Sequence, residues 1–291
     1  LEIFASYLSR EKIHPALLIT SATGIPEWIS PMEAQKLAVG MCDFTCCQRN
    51  HKFGDRIVPC DRGITRGILE KLIDAKVKHL FKTENMKLAR LFHCMRQWWL
   101  RGSDVDVEDS KLSLDDFKSE LRWNKNIDDH DQRAPWIDRS GMSILAYGVL
   151  RNDLAIVKDI LKVFKSDLDR LLSWRYPIEG VIEIGFPSRT AYLMTAMFFS
   201  RPEVVITLLE AGACPYDVDT IGFDAMMFAC VSGRLDNVKM WCSRFKDWKI
   251  DTRNQKFGST ALNIALYMGP RKLDLVKYLV RESHVRISIC I

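Results

Sequence analysis

The second half of this chain repeats itself, and the repeat limits what the chain can fold into. Four segments share one pattern: a Gly or a stand-in, a small or hydroxyl residue, a Leu or Met, another small residue, then a second amphipathic stretch. They read Gly141-Met-Ser-Ile-Leu-Ala-Tyr-Gly, Arg189-Thr-Ala-Tyr-Leu-Met-Thr-Ala, Gly222-Phe-Asp-Ala-Met-Met-Phe-Ala and Gly258-Ser-Thr-Ala-Leu-Asn-Ile-Ala. Their first positions are 48, 33 and 36 residues apart. A unit this short holds two helices at most and cannot bury its own apolar face. It must stack on its neighbours into a solenoid. Solenoids present extended binding surfaces.

The clearest copy runs from Gly222 to Cys242. Gly222 suits a turn with positive φ, and Ala225 to Ala229 open a first helix that Gly233 ends as a C-terminal cap. Leu235, Val238, Trp241 and Cys242 then recur at helical spacing. The fourth copy follows with Thr260 to Ala265, Gly269, and Leu273, Leu275, Val276, Leu279 and Val280. The second ends in Val204-Val-Ile-Thr-Leu-Leu-Glu-Ala-Gly-Ala213. The first, Gly141 to Leu161, is followed by an insertion around Trp174 to Phe186. Pro177, Gly180, Gly185 and Pro187 mark that insertion as a loop.

Over residues 136–285 this pattern resembles the ankyrin repeat, a turn followed by two antiparallel helices. No copy keeps the family's Thr-Pro-Leu-His in full. Ala225 and Ala261 stand for the Pro, and Met227 and Asn263 for the His. That His ties backbone groups of neighbouring repeats together, so the resemblance implies a less rigid stack here. It also implies that partners dock on the concave side, at the hairpin tips and first helices. Carried over residue by residue, those helix positions are Tyr147, Leu150 and Arg151; Thr195, Phe198 and Phe199; Phe228, Val231 and Ser232; and Ile264, Tyr267 and Met268. This row is apolar, as an exposed interaction patch would be.

Charge divides the rest of the chain. Residues 62–101 hold ten Lys and Arg against three acids, whereas residues 102–132 hold ten acids against four Lys and Arg. The acidic stretch reads as a surface linker with a short helix at Leu114 to Trp123. Its Asp104 to Asp116 portion fails as a calcium loop, because Asp109 stands where such a loop needs Gly. The expected organisation is a helical N-terminal region over 1–101, an acidic linker over 102–135 and ankyrin-like repeats over 136–291. The chain starts at Leu1 and ends in the apolar Ile287-Ser-Ile-Cys-Ile291. A solenoid needs a polar cap, so the natural protein is expected to continue.

Nine Cys without a regular framework fit a reducing compartment, and a cytoplasmic location is expected. No run of apolar residues is long enough to span a bilayer. One cluster resembles a metal site. Cys42, Cys46, His51 and Cys60 offer four soft ligands, with Cys47 as a spare. No Cys-x-x-Cys pair exists, and Arg49, Lys52 and Arg56 oppose a bare cation, so ordinary free cysteines are the expectation and no cofactor is assigned.

Asn85 to Arg101 reads as an amphipathic helix with Leu88, Leu91, Phe92, Met95, Trp98 and Trp99 on its apolar side. A basic helix with bulky anchors suits calmodulin or a membrane surface, whereas core packing uses the same residues internally. The aromatics do not alternate with the basic residues, which argues against a single-strand nucleic-acid platform. Phosphate-loop, dinucleotide, nucleophile-elbow and zinc-protease motifs are absent from the sequence. The expected fold is all-α: an ankyrin-like helical solenoid preceded by a separate helical N-terminal region. The expected function is non-catalytic protein binding or scaffolding on the concave face. The alternative is an adaptor or enzyme activity carried by a metal-binding N-terminal region.

Overall fold

The computed structural model describes residues 8, 16–18, 21–29, 44–101, 111–123, 136–177, 185–267 and 273–281. Among the described residues the fold is all-α apart from two short hairpins, and the chain divides into two compact units, Leu1–Glu108 and Asp109–Ile291.

In the first unit, β1 (Ala16–Leu18) pairs antiparallel with β2 (Glu27–Ile29). The short α1 (Thr45–Gln48) leads into a second hairpin of β3 (Lys52–Phe53) and β4 (Arg56–Ile57). The long α2 (Asp61–Lys82) follows, with Leu69, Ile73, Lys76 and Leu80 forming one buried stripe at helical spacing. Asn85 caps the next helix by accepting from Leu88 N–H at 3.4 Å.

The single helix expected over Asn85 to Arg101 is instead two, α3 (Met86–Cys94) and α4 (Arg96–Leu100), broken at Met95. The break lets both segments lie against α2. Leu91, Phe92, Met95, Trp98 and Trp99 are all buried, and the Phe92 and Trp99 rings stand 4.7 Å apart. The anchors that calmodulin or a membrane would need are therefore used in the unit's own core. Outside it, Arg96 grips both carboxylate oxygens of Asp74 at 3.2 and 3.3 Å.

The second unit opens with α5 (Leu114–Glu120), inside the stretch read as a linker. Ser113 Oγ accepts from Asp116 N–H at 3.1 Å while Asp116 Oδ2 accepts from Ser113 N–H at 3.3 Å. This reciprocal cap sets the helix start. Leu114, Phe117 and Leu121 are buried, and Glu120 pairs with Arg151 at 2.5 Å. The acidic surface reading holds for Asp115, which is exposed, but not for the helix's apolar face, which joins the repeats.

Four helix pairs then stack: α6 (Ile144–Arg151) with α7 (Leu154–Val163), α9 (Tyr192–Phe199) with α10 (Pro202–Glu210), α11 (Ala225–Ser232) with α12 (Leu235–Arg244), and α13 (Ala261–Tyr267) with α14 (Leu273–Arg281). A 3-10 turn at Lys165–Asp167 and α8 (Leu168–Leu172) begin the insertion between the first two pairs. First helices pack on first helices in the order α6, α9, α11, α13, and second helices on second helices in the order α7, α10, α12, α14. The result is two layers of helices.

Close approach within the stack depends on one small position per repeat: Gly148, Ala196, Ala229 and Ala265. A Cβ on Gly148 would stand 3.4 Å from both Ile156 Cγ2 and Ile160 Cδ1 of α7. The three alanines are fully buried.

Candidate binding surface

Each repeat enters its first helix through a tight turn, and the turn chemistry recurs. Asp138 Oδ1 accepts from the backbone N–H of Ser140 at 2.8 Å and Met142 at 3.0 Å. Asp219 Oδ1 accepts likewise from Ile221 at 2.8 Å and Phe223 at 2.9 Å. Asn254 Oδ1 accepts from Phe257 N–H at 2.6 Å. Each turn closes on a residue with positive φ: Gly141 at 79°, Gly222 at 79° and Gly258 at 64°. In the second repeat Arg189 holds that conformation at φ 62°, where a side chain is strained. The signal for these turns was in the sequence as Asp or Asn three or four residues before each Gly, and the motif reading passed over it.

Burial raises the pKa of two carboxyls at the third repeat's entry. Asp219 is pushed above the ordinary carboxylate value by loss of solvent, opposed by its hydrogen bonds from the Phe223, Ile221 and Gly222 backbone. Asp224, the N-cap of α11, is raised for the same reason, and the nearby Asp219 charge adds to it.

The concave row is mostly not a surface. Tyr147, Leu150, Phe198, Phe199, Phe228 and Ile264 are buried, whereas Val231 is half-buried and Tyr267 is 91% exposed. With Thr195 also buried, the expectation of an exposed row is corrected at seven of its twelve positions, while Arg151 and Ser232 are half-buried. Met268 lies outside the described residues.

Within the repeat unit, the insertion supplies cover for the aromatic part of the row. Phe186 places its ring 5.4 Å from Phe198, 5.4 Å from Phe199 and 5.2 Å from Phe228. Trp174 stacks on Tyr192 at 5.0 Å and donates from Nε1 to Gly141 O at 3.1 Å. At the other end, Tyr147 donates to Asp138 Oδ2 at 2.9 Å, and Trp123 meets its ring edge-on. Aromatic rings bury large area when they pack on one another, so an aromatic insertion covers an aromatic row.

Open space is found by the loops that follow α10 and α12. An open cleft of about 620 Å³ is lined by Tyr216, Val218, Asp224, Arg244 to Lys249 and Thr252. Tyr216 is 73% exposed and stacks on Trp248, with centroids 5.4 Å apart and planes 16° apart. Trp248 in turn meets Trp241 edge-on at 5.1 Å. The cleft thus joins a fixed aromatic floor to three cations, Arg244, Lys246 and Lys249, with Asp247 among them.

Elsewhere, the cysteine cluster differs from the one expected. Cys46, Cys47 and Cys60 bring their sulfurs within 4.8 Å of one another, with Cys47 taking the place foreseen for His51. Cys42 lies outside the described residues. The Cys60 thiol is held below the ordinary value, chiefly by a hydrogen bond from the Arg62 backbone, against some loss of solvent. Among the described residues, no helix is long and apolar enough to cross a membrane.

Residues 226–280, the third helix pair through most of the fourth, match the family model described as ankyrin repeats in many copies. That segment is built of ankyrin repeats, whose general role is contact between proteins. No curated protein matches the chain.

Proposed function

We propose that the repeat unit is a non-catalytic protein-binding module, a cytoplasmic scaffold that takes an acidic peptide segment carrying an apolar anchor. The observation that carries this reading is the open cleft whose Tyr216 face is held flat on Trp248 beside Arg244, Lys246 and Lys249. A rigid aromatic contributes contact area with little ordering cost, and the cations favour carboxylates on the partner. On the concave side, Tyr267 and Val231 form the remainder of the row that a partner reaches. The buried members, Tyr147, Leu150, Phe198, Phe199, Phe228 and Ile264, act by holding that side in shape.

A displayed peptide library panned against the whole chain tests this. Enriched peptides should carry Asp or Glu beside an apolar residue. They should lose about tenfold in affinity, the equivalent of about 1.4 kcal/mol, with Lys249→Glu or Tyr267→Glu. Enrichment that ignores both substitutions, or no enrichment, overturns the proposal.

A further inference from the structure

We propose that Cys46, Cys47 and Cys60 form a zinc site that fastens α1 and the β3–β4 hairpin to the start of α2. The three sulfurs lie within 4.8 Å of one another, and Cys47 Sγ stands 3.7 Å from Cys60 Sγ. Zinc–thiolate bonds of about 2.3 Å arranged tetrahedrally place neighbouring sulfurs about 3.8 Å apart. The Cys47–Cys60 spacing is that of a tetrahedron's edge. The Asp61 backbone N–H donates to Cys46 Sγ at 3.3 Å, the kind of outer contact that orients a metal's sulfur ligand. The fourth corner falls to water or another donor. The ring of His51 is outside the trio.

The segment needs such a fastening. Across residues 44–60 only Cys46 is buried, while Phe53 and Ile57 are 68% and 84% exposed. The segment nonetheless holds a helical turn, a hairpin and three left-handed residues, Asn50, His51 and Gly54, at φ 51°, 57° and 60°. Apolar burial does not account for that order. Metal binding supplies folding energy where a core is missing. Binding closes a loop from Cys46 and Cys47 on α1 to Cys60 at the start of α2, with the β3–β4 hairpin inside it. The neighbouring cations, which would repel free zinc, complement the site once formed. Three thiolates and one dication leave one negative charge, in a segment that carries Arg49, Lys52 and Arg56.

The test is metal analysis of the full chain purified under reducing conditions. About one zinc per chain is expected, falling to near zero with Cys47→Ser or Cys60→Ser and staying near one with Cys214→Ser and His51→Ala. Thiol titration keeps the proposal open to refutation if a serine variant fails to fold. Adding zinc to chelator-treated wild-type protein should protect three thiols from a maleimide, identified by peptide mapping as Cys46, Cys47 and Cys60. Three outcomes overturn it: metal-free protein whose thiols zinc does not protect, zinc retained by both serine variants, or a Cys47–Cys60 disulfide in freshly purified protein.

Discussion

Asn237 reaches back one repeat and donates from Nδ2 to the carbonyl of Ser200 at 2.8 Å. The same group also donates to Met197 O at 3.0 Å. The corresponding positions of the other second helices are Ile156, Val204 and Leu275, all buried and apolar. One repeat earlier, Ser200 Oγ donates to Val149 O at 2.7 Å, and Asn152 Oδ1 accepts from Arg201 N–H at 2.7 Å. Asn152 sits at φ 59° to do so. The repeats lack the His expected to tie neighbouring backbones, and these three residues do that work from other positions. The expectation of a looser stack overlooked them.

Asn237→Val should therefore destabilise the second unit although Val fits the position elsewhere. Two buried carbonyls lose their donor, which costs about 1–3 kcal/mol. Urea unfolding followed by tryptophan fluorescence reads this. A midpoint equal to wild type would show that the link contributes nothing to the stack.

Phe228→Glu and Tyr267→Glu should part company. Phe228 is 4% exposed and packed against Phe186, so a carboxylate there should cost about 4 kcal/mol or more. Tyr267 stands in solvent, and its change should stay within about 0.5 kcal/mol. Thermal melts of the two variants decide it; similar losses would mean that the covering of the row is wrong.

Arg189→Gly should stabilise the chain. Arg189 occupies the left-handed region at the turn where the other repeats place Gly. Relief of that strain is worth about 1 kcal/mol, or about 2–4 °C in Tm for a unit of this size. The backbone bond from Arg189 N–H to Tyr176 O at 3.3 Å survives the change. A lower Tm would show that the arginine side chain makes a contribution larger than the strain.

Asp219→Asn should be more stable than wild type near neutral pH, with the advantage vanishing in acid. The folded-state pKa of Asp219 is raised above the unfolded value by burial. Its contribution to stability is therefore fully present below about pH 4 and is lost as pH rises through the raised folded value. Asparagine keeps the Oδ1 acceptor, as Asn254 does in the next turn. Removing the charge also relieves Asp224. Melts across the acid-to-neutral range should show the gap opening as pH rises. A gap that opens in the acid direction would reverse the assignment.

The repeating pattern alone determined the number of helix pairs and their order. Spacing of apolar residues is a local property, and Gly233 fixes a helix end through the backbone beside it. Gly222, Gly258 and the small residues Ala229 and Ala265 were likewise readable, because turn geometry and close approach each admit few residue types. Asn237 was visible as a polar residue on an apolar stripe, but its meaning needed the neighbouring repeat. Tertiary structure alone decided what covers the concave row. Phe186 reaches Phe198 and Phe228 only after the insertion folds back, and no short-range pattern encodes that reversal. It also decided the cysteine trio. Cys47 and Cys60 are thirteen residues apart in sequence and 3.7 Å apart in space because a hairpin returns the chain to the start of α2. Which sulfurs meet depends on that return path, not on their spacing.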